Sequence, residues 1–213
     1  MDCHICTRPT GSFMHEKINM TYHHCNHCEY IFKFPECYQD LKQQKVRYNL
    51  HENDENNAGY RAYFERFLAF VLPHLKHVKT ALDFGCGSTS LLAKLLENEG
   101  IDCDYYDPIY HPNTLNDKKK YDLIVSTEVF EHLHKPKLVF KSLIERLEEG
   151  GYLAIQTQFH NNDIEVFKKW YYHQDPTHIV FFTKKSFEIL AEMFSSKVIR
   201  DNEKNMILIQ KNY

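Results

Sequence analysis

The sequence lacks a long apolar run, an excess of either charge and an N-terminal export signal. No uncharged apolar stretch approaches the roughly 20 residues that a membrane-spanning helix needs. Residues 1–20 are polar and carry two cysteines, so they do not resemble a signal peptide. The formal net charge of -3 provides no basic field that would recruit nucleic acid. These absences predict a cytoplasmic protein without a membrane span and make nucleic acid an unfavoured partner.

Internal repeats and extended low-complexity segments are also absent. Hydrophobic residues make up 43% of the chain and aromatic residues 14%, enough to form a packed core. The 213 residues can hold one domain of ordinary size together with a small appendage.

The cysteines near the N-terminus form two matched pairs. The chain has seven cysteines, an odd number that argues against a disulfide framework. Two CxxC pairs separated by 18 residues favour a structural zinc ion held by four thiolates, with a short hairpin between the pairs. The predicted ligands are Cys3, Cys6, Cys25 and Cys28. Four unrelated buried cysteines are the alternative, and a histidine beside the pairs (His4, His23, His24 or His27) could replace one thiolate. We expect a zinc ribbon over residues 1–40, whereas Cys37 falls outside the pattern.

Beyond this ribbon, a polar linker is predicted over 41–59 and a main domain over 60–213. Apolar residues from 60 to 75 follow helical spacing. Residues 80–84 then read as a buried parallel strand, followed by a turn at Gly85 and Gly87 and a helix capped by Ser88 or Thr89. A second strand, 101–107, ends in Asp107, where an acid can bind a ribose diol.

The glycine turn differs from the dinucleotide-binding fingerprint. Its third glycine is replaced by Ser90, so the turn fits a nucleoside without pyrophosphate better than a dinucleotide. The remaining pattern predicts strands at 121–127 and 152–158, a helix from Pro136 stopped by Gly150 and Gly151, a helix capped by Thr183, and a closing antiparallel pair at 198–200 and 206–210. The fold class is therefore α/β, with a Rossmann-like sheet.

Three segments carry a resemblance to a known family. Residues 82–87 (LDFGCG), the strand-end Asp107 and residues 121–133 (YDLIVSTEVFEHL) resemble class I S-adenosylmethionine (SAM)-dependent methyltransferases, and most nearly the ubiquinone-biosynthesis O-methyltransferase type. The resemblance covers residues 60–213, and a CxxC…CxxC ribbon precedes this domain in some small-molecule methyltransferases. It implies SAM as the methyl donor. The implied donor-site residues are Asp83, Gly85, Cys86 and Gly87 around the methionine part, Asp107 at the ribose, and Glu128 with Val129 as the far wall.

One segment departs from the family pattern. Only 13 residues separate Asp107 from Tyr121, too few for the helix, strand and helix of a complete seven-stranded sheet. We expect the third strand of the usual fold to be missing, and segment 108–120 therefore leaves the adenine contacts undefined.

The acceptor is expected beneath a lid formed by residues 159–182. On the resemblance, His178 is a candidate general base or acceptor-orienting residue, and His132 a candidate catalytic or pocket-shaping residue. The alternative for His178 is that it pins the loop by hydrogen bonds. Trp170, Tyr171 and Tyr172 could stack on a planar acceptor or form an ordinary aromatic cluster.

Three functions remain open at this point. The near-neutral charge and the aromatic lid favour methylation of oxygen, nitrogen or carbon in a small-molecule acceptor. A methyltransferase that grips RNA or protein through the ribbon would need a continuous basic face, whereas lysines, arginines and acids are interleaved through residues 1–50. A non-enzymatic docking module is the third hypothesis. The sequence does not define the acceptor or the oligomeric state.

Overall fold

The computed structural model describes residues 1–38, 45, 57–115 and 118–213. Its strands are β1 (Gly11–His15), β2 (Met20–His24), β3 (Ile31–Lys33), β4 (Thr80–Phe84), β5 (Asp102–Tyr106), β6 (Tyr121–Thr127), β7 (Leu147–Gln156), β8 (Val180–Phe181), β9 (Ser196–Asp201) and β10 (Met206–Lys211). The α-helices are α1 (Ala58–Val71), α2 (Leu91–Asn98), α3 (Pro136–Glu145), α4 (Ile164–Phe167) and α5 (Lys184–Met193).

The larger sheet has six strands in the order β5-β4-β6-β7-β10-β9. The pairs β5–β4, β4–β6 and β6–β7 are parallel, whereas β10 pairs antiparallel with both β7 and β9. Between β5 and β6 the described residues contain no further strand, in agreement with the missing strand predicted from the short segment 108–120. The parallel strands bring their carboxyl ends to one edge of the sheet, where Rossmann-like folds bind ligands.

The sheet is covered by helices whose apolar faces follow the predicted spacing. Helix α1 buries Phe64, Phe67, Leu68 and Val71. It begins at Ala58 because the Asn57 side chain accepts hydrogen bonds from the amides of Gly59 and Tyr60. Most of the predicted linker, 41–59, lies outside the described residues. No helix in the described part of the chain has both the length and the apolar character to cross a membrane.

The smaller sheet joins the N-terminal residues to the lid. Its order is β1-β2-β3-β8, and the β1–β2 hairpin agrees with the sequence prediction. Strand β8 belongs to segment 159–182 and pairs antiparallel with β3. One apolar cluster contains Cys3, Cys28 and Phe32 together with Phe182 and Phe187 of the main domain. The N-terminal strands therefore pair with the lid through β3 and β8 and share an apolar cluster with the main domain.

Two local predictions were wrong and one was confirmed. Ser90, in the left-handed region with φ of 49°, occupies the N-cap of α2 and makes no capping side-chain bond, so neither Ser88 nor Thr89 is the cap. Helix α3 ends at Glu145 rather than at the glycine pair, because Leu147 already pairs with β6. Thr183 caps α5 in a reciprocal arrangement with Ser186, as predicted.

Candidate active site at the carboxyl edge of the sheet

The glycine turn after β4 is tightly packed on one side and open on the other. Gly85 and Gly87 have φ angles of 85° and 65°, which side chains rarely adopt. A Cβ on Gly85 would lie 2.2 Å from Cγ2 of Val129, whereas no described atom outside Gly87 and its two chain neighbours lies within 4 Å of a Cβ on Gly87. Val129 therefore packs directly against the turn at Gly85, and the space beside Gly87 is available to a ligand.

Asp107 is the first residue after β5, and its side chain accepts hydrogen bonds from the loop that follows. Its Oδ1 accepts hydrogen bonds from the amides of Ile109 (2.8 Å) and Tyr110 (3.0 Å), and its Oδ2 accepts one from the Gly87 amide (3.2 Å). An ionised carboxylate has about four acceptor positions. The side chain is therefore rigidly held, ties the glycine turn to the next strand and keeps acceptor capacity.

Asp83 lies beneath the same turn, at the end of β4. It is 1% exposed, and neither carboxylate oxygen has a hydrogen-bond partner among the described residues. Burial raises the pKa of this carboxyl to about 7, with a smaller contribution from the charge of Asp107. The adjacent Cys86 directs its thiol to the Gly87 carbonyl oxygen at 3.4 Å, so its side chain stays within the turn.

Glu128 follows β6 and faces side chains from two other segments. It has a left-handed backbone, with φ of 53°. The Tyr63 hydroxyl of α1 donates to Oε1 at 2.6 Å, and the Tyr172 hydroxyl of the lid lies within hydrogen-bond distance of Oε2, at 3.1 Å. Burial, and then the charge of Glu131, raises the pKa of Glu128 to about 8. This carboxyl therefore connects helix α1, the sheet edge and the lid.

Glu131, His132 and His178 meet next to Glu128. Their potential ligand atoms lie within 4.8 Å of one another, although His178 is separated from the other two by a long segment of chain. Glu131 is fully buried, and it accepts hydrogen bonds from the hydroxyls of Tyr172 (2.5 Å) and Thr157 (2.8 Å). Burial raises the pKa of Glu131.

Both histidines are anchored by Nδ1. His132 bonds to the Thr177 carbonyl at 2.9 Å, and His178 bonds to the Tyr172 carbonyl at 2.7 Å. The bond from His178 lies within the lid, because Tyr172 belongs to the same segment. Burial lowers the pKa of both imidazoles, that of His178 to about 3, so both are neutral near neutral pH.

Sequence analysis did not single out two members of this site, Tyr63 and Glu131. Tyr63 lies on the apolar face of a predicted helix, and Glu131 lies within the segment 121–133 that carries the family resemblance. Tyr172, a candidate either for stacking on a planar acceptor or for an aromatic cluster, directs its hydroxyl to the two carboxyls. Tyr171 is 66% exposed, whereas Trp170 packs against Tyr172 with ring centroids 4.9 Å apart.

The lid also lines an open cavity of about 240 Å³. Its lining residues are Phe159, His160, Asn161, Val166, Phe167 and Trp170. All of them belong to segment 159–182, and none is a residue predicted for the donor site.

The four predicted thiolates come together at the other end of the lid. The Sγ atoms of Cys6 and Cys25 are 3.6 Å apart, and those of Cys3 and Cys28 are 3.9 Å apart. All four sulfur atoms lie within 4.8 Å of one another. Backbone amides of Ile5 and Cys28 point at Cys3 and Cys25 sulfurs, both at 3.4 Å. Cys37 is exposed and lies outside the cluster.

Comparison with known proteins agrees with this architecture. Residues 55–196 match the family described as methyltransferase domain. A search of curated proteins found no match.

Solved structures share the fold at low sequence identity. An O-methyltransferase family protein from Burkholderia thailandensis has 13% identity and a TM-score of 0.54, with 79% of this chain and 63% of that chain covered. A SAM-dependent methyltransferase from Archaeoglobus fulgidus has 16% identity and a TM-score of 0.52, with 71% and 94% covered. The N-methyltransferase NodS from Bradyrhizobium japonicum, solved with S-adenosyl-L-homocysteine, has 13% identity and a TM-score of 0.52, with 80% and 98% covered.

These likenesses establish the fold alone. This chain spans 63% of the length of the Burkholderia thailandensis protein and 58% of the length of the mitomycin 7-O-methyltransferase MmcR, another structure that it matches. The family match covers well over half of the chain and includes the glycine turn, Asp107 and residues 128–132. The protein therefore belongs to the methyltransferase-domain family.

Proposed function

We propose that the protein transfers a methyl group from SAM to a small-molecule acceptor held beneath the lid, 159–182. The observation that carries this proposal is the bond from the lid's Tyr172 to Glu128. It brings the lid over the sheet edge that also carries the glycine turn and Asp107. Methyl transfer from a sulfonium is an in-line displacement, so holding donor and acceptor in alignment supplies much of the acceleration.

The residues at the edge fit the donor. Asp107 would accept from the ribose hydroxyls, since its carboxylate is already oriented by three amides. The open space beside Gly87 and the unpartnered carboxyl of Asp83 suit the methionine part of SAM, which carries a cationic amino group. Cys86 would contact the donor through its backbone, because its thiol is directed to the Gly87 carbonyl oxygen. Glu128 and Val129 would form the far wall of the donor pocket, as the resemblance implied.

The two histidines would act on the acceptor. A neutral imidazole with its proton on Nδ1 presents a lone pair at Nε2, which can accept a hydrogen bond from an acceptor hydroxyl or amine. We propose that His178 and His132 orient the acceptor in this way. The low pKa of His178 makes this role more suitable than proton storage.

We also propose that residues 1–40 form a structural zinc ribbon, followed by a linker over 41–59 and the methyltransferase domain over 60–213. Four thiolates around a tetrahedral zinc ion, at bond lengths of about 2.3 Å, place their sulfurs about 3.8 Å apart. The observed separations of 3.6 and 3.9 Å support this assignment.

The likeness to the ubiquinone-biosynthesis type, carried by residues 82–87, Asp107 and 121–133, supports placing the chain in that subgroup. The experiment also identifies the methylated atom of the product, because both O- and N-methyltransferases share the fold.

The experiment uses SAM with a labelled methyl group. Purified protein is incubated with the small-metabolite, RNA and protein fractions of a cell extract, and donor affinity is measured by calorimetry. We expect label in the small-metabolite fraction, with at least tenfold weaker donor binding in Asp107→Asn. Label in RNA or protein, or in no fraction, would overturn the proposed acceptor class.

Asp122→Asn is the matched control. The Asp122 carboxylate also accepts from two backbone amides, of Lys79 (2.9 Å) and Thr80 (3.0 Å), but it does so at the opposite edge of the sheet. Its replacement should leave donor affinity unchanged. If both variants weaken donor binding equally, Asp107 has no special place in the donor site.

A further inference from the structure

Glu131, His132 and His178 combine the features of a metal centre. One carboxylate and two imidazoles present ligand atoms within 4.8 Å of one another. Glu131 and His132 are neighbours on the turn after β6, and His178 reaches them from the lid. Two histidines and one carboxylate are a common ligand set for divalent transition metals, and three protein ligands leave further coordination positions open.

The hydrogen bonds of the histidines fix which nitrogen carries the proton. A carbonyl oxygen only accepts, so the bonds to Thr177 and Tyr172 require a proton on Nδ1 of His132 and of His178. In a neutral ring, Nε2 then carries the lone pair. Metal-binding histidines typically have this arrangement, with the second nitrogen anchored to a carbonyl or a carboxylate. The Nε2 of His132 lies 4.0 Å from a Glu131 oxygen.

The local charge also favours a cation. Glu128 and Glu131 share the Tyr172 hydroxyl, and Glu131 is fully buried. Within the described part of the chain, no lysine or arginine forms an ion pair with either carboxyl. The nearby buried Lys33 donates instead to the Asp175 carbonyl, at 3.2 Å. A divalent ion beside these two acidic side chains would supply the positive charge that no lysine or arginine provides.

We propose that Glu131, His132 and His178 bind one divalent transition-metal ion, and that its open positions bind an oxygen of the acceptor. This inference rests on the proposed function and narrows it to hydroxyl-bearing acceptors that can coordinate a metal. In this arrangement the two histidines orient the acceptor through the ion rather than by direct hydrogen bonds from the acceptor to Nε2. Because His178 lies in the lid and the other ligands lie at the sheet edge, the ion would also hold the lid closed over the acceptor.

The test uses Mn²⁺ as the probe and, as the protein, the full chain loaded with one equivalent of zinc, which fills the cysteine cluster only. Mn²⁺ prefers oxygen and nitrogen ligands to thiolates, so it discriminates between this site and the cysteine cluster. Bound Mn²⁺ is counted by the loss of the free-ion electron paramagnetic resonance signal. We expect one Mn²⁺ per chain, and affinity reduced about tenfold or more in His178→Gln and in Glu131→Gln.

His134→Gln is the control, because this exposed histidine is two residues from His132 but outside the cluster. It should bind Mn²⁺ as the wild type does. Circular dichroism and SAM affinity show that each variant is folded. A wild-type protein that binds no Mn²⁺, Co²⁺ or Zn²⁺ beyond the cysteine site, or affinity unchanged in His178→Gln, would overturn the inference.

The measurements distinguish a failure of the metal inference from a failure of the proposed function. If SAM binds and label enters small metabolites while no second metal is bound, the metal inference is wrong and the proposed function stands. If a metal binds but label enters RNA or protein, the proposed acceptor class is wrong and the metal site remains.

Discussion

The two clusters of potential metal ligands differ in how their residues are spaced along the chain. The cysteine cluster consists of two pairs, each with its members three residues apart, and both pairs lie within residues 1–28. The cluster of Glu131, His132 and His178 joins a turn at the sheet edge to a lid residue far along the sequence. Spacing alone could reveal the first cluster. The second becomes visible only when the fold brings the lid back to β6.

The two clusters also differ in what surrounds them. The sulfurs are enclosed by an apolar core that includes Tyr30, Phe32 and Phe182, so we expect them to hold the N-terminal sheet together. Glu131 is bonded instead to hydroxyls of the lid and the sheet, and a second carboxyl lies beside it. We therefore expect removal of the first site to affect folding and removal of the second to affect ligand binding.

The largest expected effect comes from breaking the cysteine cluster. Cys25→Ser should lower the free energy of unfolding by roughly 4 kcal/mol or more, because the small sheet would lose the binding energy of the proposed zinc ion. Urea unfolding followed by circular dichroism measures the change. His178→Gln should leave the free energy of unfolding much closer to that of the wild type.

Cys37→Ser is the control for this prediction, since Cys37 is exposed and outside the cluster. Its replacement should change stability by less than about 0.5 kcal/mol. Equal unfolding curves for the Cys25 and Cys37 variants would mean that the four sulfurs hold no structural ion.

The same contrast between local and long-range patterns explains how much the sequence revealed. The strand 80–84, the glycine turn and the helix cap at Thr183 follow from residues within a few positions of one another, and all three are present. The missing third strand was predicted from the length of segment 108–120. Strand β8 was not predicted, because two apolar residues give no periodic signal and their partner β3 lies near the other end of the chain.

The second-largest expected effect is a difference in the free energy of unfolding between substitutions at two glycines of one turn. Gly85→Ala should lower the free energy of unfolding by about 3 kcal/mol, because it combines a left-handed backbone with a collision against Val129. Gly87→Ala meets open space and should lower it by only about 1 kcal/mol, from backbone strain alone. Thermal or urea unfolding of both variants provides the comparison.

A double variant tests whether the destabilisation by Gly85→Ala arises from the contact with Val129. Val129→Ala removes the colliding methyl group, so Gly85→Ala should be less destabilising in that background than in the wild type. If the two substitutions are additive, the contact between the turn and Val129 does not constrain Gly85. The glycine motif is local, but this steric requirement at Gly85 comes from a residue after β6.

The smallest expected effect concerns two adjacent tyrosines of the lid. The Tyr172 hydroxyl bonds to Glu131 and Glu128, whereas Tyr171 is 66% exposed. Tyr172→Phe keeps the ring and its packing but leaves buried carboxyl oxygens without their donor, so the free energy of unfolding should fall by about 1.5 kcal/mol. Tyr171→Phe should change it by less than about 0.5 kcal/mol.

Urea unfolding of both variants, with and without Mn²⁺, tests this difference. If Glu131 is a metal ligand, added Mn²⁺ should still stabilise Tyr172→Phe, because its histidine ligands and its carboxylate remain in place. Equal stability of the two variants would show that the hydroxyl bonds between the lid and the sheet edge contribute nothing measurable. The two tyrosines are neighbours in sequence and have the same chemistry, so any difference between them arises from the fold that carries Tyr172 to the carboxyls.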